Sequence, residues 1–310
     1  MRVIQAQSAG FCYGVERAVR MAEEAAAAGG CVMLGSIIHN DSVVRRLEAL
    51  GARQVQSAEE VQPGETALIR AHGEPVETYR TLEARGARVL DATCPHVLRI
   101  HRLVERAEQE GRTPLIIGED HHPEVIAAAS RSSRSVVLGN AEELAEWLAA
   151  VPARRTERLL AVAQTTCIRS IWEKCVIFLK KECTNAEIFD TICDATQKRQ
   201  SEAADIAGRV DVMVVVGDRK SANTKHLSEI CSTRCARVYQ IEGAEELRAD
   251  FLNGCSVAGL TAGASTPAGI IKEVYATMSD EIKNVEATEE SFEEMLEKSF
   301  KTLNTGEKVT

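Results

Sequence analysis

The stretch Val212-Met213-Val214-Val215-Val216-Gly217-Asp218-Arg219-Lys220-Ser221-Ala222-Asn223-Thr224 passes from an unbroken apolar run, through a small polar turn, into a helical pattern. A strand apolar on both faces belongs to a parallel sheet covered by helices on either side. The same order of parts recurs along the chain. It returns at Gly35-Ser36-Ile37-Ile38-His39-Asn40, Ala71-His72-Gly73-Glu74-Pro75, Gly118-Glu119-Asp120-His121-His122-Pro123-Glu124, Gln164-Thr165-Thr166 and Thr261-Ala262-Gly263-Ala264-Ser265-Thr266-Pro267. Strand and helix alternate throughout, so the fold class is α/β.

Three further units carry a cysteine at the helix entrance: Ala9-Gly10-Phe11-Cys12-Tyr13-Gly14, Asp91-Ala92-Thr93-Cys94-Pro95 and Asp190-Thr191-Ile192-Cys193-Asp194. After each, a helical stretch reaches a glycine at a similar distance, Gly29, Gly111 or Gly208. In the first of these helices Val15, Ala18, Val19, Ala22, Ala25 and Ala26 mark one apolar face. Nine strand-to-helix units, three of them with a cysteine, divide into three small α/β modules with mostly parallel sheets. The breaks fall near Cys94 and Cys193, giving modules over 13–94, 95–192 and 193–279.

A chain of 310 residues, 45% of them apolar, has enough material for two or three compact units with a substantial core. It has no apolar run long enough to span a bilayer, and Met1-Arg2-Val3-Ile4-Gln5-Ala6-Gln7 lacks the hydrophobic stretch of a signal peptide. The expected location is the cytoplasm, with no membrane partner. Ten cysteines there are thiols or metal ligands, because disulfides rarely persist in that compartment. A formal net charge of -9 argues against nucleic acid as a partner of this chain.

A cysteine chosen at random is usually a small buried hydrophobe. Three in matched settings suggest otherwise. Pro95 suits the first turn of a helix, which makes Cys94 its N-cap, where free N–H groups and the helix dipole favour a thiolate. Three such thiolates would bind zinc or an iron–sulfur cluster. Structural zinc usually draws on closely spaced Cys-x-x-Cys pairs, and the chain has none. A [4Fe-4S] cluster usually takes four cysteines, so three would leave one iron open as a Lewis acid. Cys31, Cys167, Cys175, Cys183, Cys231, Cys235 and Cys255 lack the matching context and are assigned to structure.

Ligands of open parallel sheets sit beyond the carboxyl ends of the strands, where all the turns lie. His39, His72, Ser221, Asn223 and Ser265 stand there beside helix N-termini, which suit a phosphate or diphosphate. Singly, each is an ordinary cap or surface residue. His122-Pro123-Glu124 places an imidazole and a carboxyl group together. Beside an anion in a closed pocket, Glu124 would hold its proton and act as an acid, with Thr165 as a relaying hydroxyl.

In combination these motifs, with Ile38-His39-Asn40, Arg70-Ala71-His72-Gly73 and Ala195-Thr196-Gln197 added, resemble the 4-hydroxy-3-methylbut-2-enyl diphosphate reductases, the last enzymes of the methylerythritol phosphate route to isoprenoids. The resemblance extends from the N-terminus to about residue 279. It implies a trefoil of three α/β modules around a central [4Fe-4S] cluster held by Cys12, Cys94 and Cys193, with the N-terminal strand, residues 1–12, joining the third module. It also implies reductive dehydroxylation of an allylic alcohol diphosphate to isopentenyl and dimethylallyl diphosphate. The substrate hydroxyl would bind the open iron, His39, His72, Ser221, Asn223 and Ser265 would hold the diphosphate, and two electrons would enter through the cluster. Glu124 would deliver protons, with Thr165 and His122 relaying or orienting them. Ferredoxin or flavodoxin would be the donor. A non-redox diphosphate hydrolase or transferase on a related scaffold is the rival reading.

Two features depart from the core pattern. Ala222 stands where many relatives carry a serine, so one side-chain bond to the diphosphate is missing. From about Asp280 the chain is acidic, and Phe292, Met295, Leu296, Phe300 and Leu303 recur at helical spacing. This amphipathic tail, 280–310, resembles the connector that in some bacterial relatives leads to RNA-binding repeats.

Overall fold

In a computed structural model of the chain, residues 2–38 and 40–279 are described, and they build three separate four-stranded sheets. His39 and the tail from Asp280 lie outside the described residues, so the expectations placed on them are not addressed by the fold.

The first sheet takes β2 (Cys31–Leu34), β3 (Ala52–Val55), β4 (Thr66–Ile69) and β5 (Arg88–Asp91), in the order β3-β2-β4-β5. The second takes β6 (Thr113–Ile117), β7 (Val136–Leu138), β8 (Leu159–Ala163) and β9 (Ala186–Phe189), in the order β7-β6-β8-β9. The third joins β10 (Val212–Val216), β11 (Val238–Ile241) and β12 (Val257–Ala262) to the N-terminal strand β1 (Arg2–Gln5), in the order β1-β12-β10-β11. Arg2 pairs with Val257, and every strand pairing in the three sheets is parallel. The arrangement is an α/β trefoil of three sheets with one shared topology.

Each sheet holds one strand beyond the apolar runs visible in the sequence. These are β3, β7 and β11, and each lies at the edge opposite the strand that leads to a cysteine. The nine units expected from sequence are therefore twelve strands. The extra strands are short, and Ala52-Arg53-Gln54-Val55 mixes polar with apolar residues because an edge strand is covered less completely. Central β10, by contrast, is fully buried from Val212 to Val216. Removing each of its side chains from water contributes on the order of 2 kcal/mol.

The helices follow the turns. α1 (Tyr13–Ala27), α4 (Pro95–Gln109) and α8 (Asp194–Ala207) begin directly after Cys12, Cys94 and Cys193, which are their N-caps. The others are α2 (Asp41–Ala49), α3 (Val76–Ala84), α5 (Pro123–Ala129), α6 (Ala141–Ala150), α7 (Arg169–Glu182), α9 (Ala222–Ser232) and α10 (268–279). Asn40 caps α2 by accepting from the Val43 amide, and Ser221 caps α9 by accepting from the Thr224 amide. α1 lays Ala18, Val19, Ala22 and Ala26 against Met33 and Leu68 of the first sheet, burying the face its spacing predicts. Among the described residues no helix is long and apolar enough to cross a membrane.

Candidate active site

The cysteine strands β1, β5 and β9 deliver their thiols to one cavity. Cys12, Cys94 and Cys193 all line it, together with His72, His122, Glu124, Thr165, Ser221, Asn223 and Ser265. Residues from all three sheets thus meet at the carboxyl ends of their strands, as parallel topology requires. Every site residue expected from sequence that falls among the described residues is in this lining; His39 falls outside them.

The thiols are free, and no side-chain capping bond engages Cys12 or Cys94. The Cys193 sulfur accepts from the Thr196 amide at 3.4 Å and lies 3.1 Å from the Thr196 hydroxyl. Gly14 makes room for them, since a Cβ there would stand 2.7 Å from Cys94 Sγ and 4.0 Å from Cys12 Sγ. No three His, Cys, Asp or Glu side chains among the described residues converge closely enough to hold a single metal ion. Three soft donors around a wider space suit a cluster in which each thiolate takes its own iron better than one shared zinc.

At Cys94 and Cys193 the helix entrance does not lower the thiol pKa as its position suggests. Burial pushes Cys94 up to about 11, against the weaker effect of the His96 and Val97 amides, with the nearby Cys12 and Cys193 raising it further. Burial likewise raises Cys193 despite its bonds to Thr196. At Cys94 and Cys193 desolvation thus outweighs the hydrogen bonds that favour the thiolate.

One buried cation already stands beside them. Arg199, on α8, is 4% exposed and donates to the Gly10 and Ala195 carbonyls. Burial lowers its pKa, while the Cys12 and Cys193 charges raise it. It is not among the site residues expected from sequence. Its signal is there in retrospect, because Thr196, Arg199, Gln200, Ala203, Ile206 and Ala207 form the buried stripe of α8 and only one of them carries a full charge.

Glu124 opens α5 and is 2% exposed. The Thr165 amide donates to its Oε1 and the Thr165 hydroxyl to its Oε2, both at 2.6 Å. Burial raises the carboxyl pKa to about 7, and the two Thr165 bonds offset only part of the rise. Pro123 at the first helical position and His122 at the cap hold the turn, with His122 Nδ1 accepting from the Glu124 amide at 3.1 Å. The His72 and His122 rings meet edge to face, with centroids 5.3 Å apart. Gln164 knits the two loops, accepting from the Glu119 amide and donating to the Thr166 hydroxyl. Gly118 allows this approach, for its Cβ would lie 2.7 Å from Gln164 Oε1.

Across the cavity the third sheet presents polar atoms of another kind. Asn223 Nδ2 and Ser265 Oγ, both on residues of the lining, are buried without a hydrogen-bond partner. Buried polar atoms left in that state cost free energy unless a ligand or water meets them. Asn223 and Thr224 lie in the first turn of α9, where backbone N–H groups also face outward. Soft sulfur donors, a protonatable buried acid and waiting anion donors therefore share one space.

The LytB protein family model matches residues 3–279. This chain belongs to the LytB family. Among its relatives is the 4-hydroxy-3-methylbut-2-enyl diphosphate reductase of Caldanaerobacter subterraneus subsp. tengcongensis, 37% identical over 94% of this chain and 100% of that one. The enzyme of the same name from Geobacter sulfurreducens is 40% identical over 90% of this chain and 98% of its own. A solved structure of (E)-4-hydroxy-3-methyl-but-2-enyl diphosphate reductase, described as the terminal enzyme of the non-mevalonate pathway, aligns over 90% of this chain and 100% of its own, with 36% identity and a TM-score of 0.64. The Plasmodium falciparum E-1-hydroxy-2-methyl-but-2-enyl-4-diphosphate reductase aligns over 89% of this chain and 87% of its own, with 26% identity and a TM-score of 0.84.

Proposed function

We propose that this LytB-family chain reduces 4-hydroxy-3-methylbut-2-enyl diphosphate to isopentenyl and dimethylallyl diphosphate. The observation that carries the reading is the coexistence, in one cavity, of the three thiols, the buried Glu124 and the unsatisfied donors Asn223 and Ser265. The reaction consumes two electrons and two protons, breaks the carbon–oxygen bond, and releases the hydroxyl as water. Cys12, Cys94 and Cys193 would hold a [4Fe-4S] cluster, which when bound supplies the electrons and a Lewis-acidic iron lacking a protein ligand.

The rest falls to side chains. His39, His72, Ser221, Asn223 and Ser265 hold the diphosphate, and the first turn of α9 adds its amide field. Glu124, with a pKa near 7, holds a proton in a substantial fraction of molecules at neutral pH, and its first task is to protonate the departing hydroxyl. Thr165 relays protons through the hydroxyl already bonded to Glu124 Oε2. His122 fixes the turn and sits against His72 on the diphosphate side. Burial of the acid serves this chemistry, because a carboxyl group in water would be ionised.

The modules of this reading are 13–94, 95–192 and 193–279, the last joined by residues 1–12. Its setting is the cytoplasm, with ferredoxin or flavodoxin as electron donor. Protein purified without oxygen is expected to be brown, to carry about four irons per chain, and to convert the allylic diphosphate to both products under a chemical reductant. Colourless, zinc-loaded or metal-free protein that hydrolyses the diphosphate instead would replace this reading with a non-redox enzyme.

A further inference from the structure

His226 is buried on α9, yet neither ring bond is made within its own sheet. Nδ1 lies 2.7 Å from the Thr166 carbonyl oxygen, and Nε2 lies 2.9 Å from Glu119 Oε1. Both partners belong to the second sheet's loops. Thr166 follows Thr165, whose amide and hydroxyl hold the Glu124 carboxyl group. Glu119 begins the turn into α5, where its carbonyl accepts from the His122 amide and its own amide donates to Gln164. The Gln164 side chain then closes the circuit onto the Thr166 hydroxyl.

On the other side, His226 is one helical turn beyond Ala222, at the end of α9 that also presents Ser221 and Asn223. A single imidazole therefore spans from the helix with the waiting anion donors to both loops that position the acid. The sequence separations, 60 and 107 residues, show that neither contact is local. A histidine that only filled space would not need a partner on each loop. Among the described residues, no other side chain of α9 is seen to bond to both loops at once.

The geometry points to His226 as a positioning residue that sets the acid loops against the diphosphate-binding end of α9. This rests on the proposed roles of Glu124 and Asn223. The ring bonds of His226 go to Thr166 and Glu119, not to either of these, and so it acts through the loops and performs no proton transfer. A rigid link of this kind fixes the distance between the anchored end of a substrate and the group that protonates its other end. Its loss should therefore reach turnover before binding.

Hydrogen exchange on the cluster-loaded protein, with and without inorganic diphosphate, tests the link directly. In the unaltered protein the anion is expected to slow exchange at residues 222–226 and also, across the bridge, at residues 119–124 and 164–166. In His226→Ala the first response should remain and the second disappear. With the allylic substrate, kcat should fall roughly tenfold to a hundredfold while KM stays within about twofold. Glu119→Ala breaks one arm without touching α9, and the double variant should lose less than the product of the two single losses. Retention of the distant response, or of kcat, in His226→Ala would overturn the assignment. Absence of any response at 222–226 in the unaltered protein would overturn the anion site beneath it. Turnover by that same protein separates either result from failure of the reductase reading.

Discussion

The second and third sheets finish their facing walls of the cavity in opposite ways, although both use a loop after a parallel strand and the first turn of a helix. On the second-sheet wall each polar atom around the acid is engaged: both Glu124 oxygens accept from Thr165, and both ends of the Gln164 amide are bonded. On the third-sheet wall Asn223 Nδ2 and Ser265 Oγ are left unpaired. The acid is assembled before any substrate arrives; the anion donors keep their bonding capacity for the ligand. Preorganisation costs least where charge develops during reaction, and unsatisfied donors are tolerated where a charged ligand repays them on binding.

The largest test of this contrast is Glu124→Gln. A glutamine can keep both Thr165 bonds, accepting from the amide and donating to the hydroxyl, so the fold and the affinity for inorganic diphosphate should persist. Turnover should fall by a factor of about 10² to 10⁴, the usual worth of a positioned general acid, in anaerobic product assays. Near-normal turnover would remove Glu124 as proton donor. On the opposite wall, Ser265→Ala should raise KM by roughly 10- to 100-fold, the loss expected of a bond to a charged group, with less change in kcat. Because the ligand-free protein makes no bond through that hydroxyl, its unfolding midpoint should barely move.

Thr165→Val tests how far the acid depends on its neighbour. It removes a hydrogen bond that holds the Glu124 pKa down, so the alkaline limb of the kcat profile should move to higher pH while the rate drops roughly tenfold. The same buried acid bears on stability, and the sign follows from the shift. Its folded pKa of about 7 lies above the ordinary glutamate value of 4.5, so the folded chain binds this proton more tightly than the unfolded one. Its contribution is complete below about pH 4.5 and lost as pH rises through about 7, on the order of 3 kcal/mol in all. Urea unfolding at pH 5 and pH 8 should show that difference in the native sequence and lose it in Glu124→Gln.

The smallest effect is expected at Ala222, which lines the cavity beside the unpaired Asn223. Ala222→Ser adds one hydroxyl to the wall that lacks bonds, and calorimetry should find inorganic diphosphate bound a few-fold more tightly. No gain would mean that the α9 amides already satisfy that side of the anion.

The three cysteine entrances, the glycine-rich turns and the apolar runs before them are local features, so the α/β class and the residues facing the cavity are legible along the chain. Periodicity and turn chemistry depend on neighbours a few residues apart. The edge strands β3, β7 and β11 were not legible, since short, partly polar segments become strands only when a central strand offers its free edge. Nor were Arg199, Gln164 and His226, whose importance comes from partners far along the chain.

The chemistry of the site divides in the same way. Sequence alone determined which groups are present: three thiols at helix starts, an acid behind His122-Pro123, and hydroxyl and amide donors in the turns. Tertiary structure decided their state. Desolvation is set by whatever surrounds a group in space, and it reverses the local expectation for Cys94 while bringing Glu124 to about 7. It also decides which donors are already spent and which remain, because a hydrogen bond between residues 41 positions apart, such as that from Thr165 to Glu124, exists only once the sheet has brought them together.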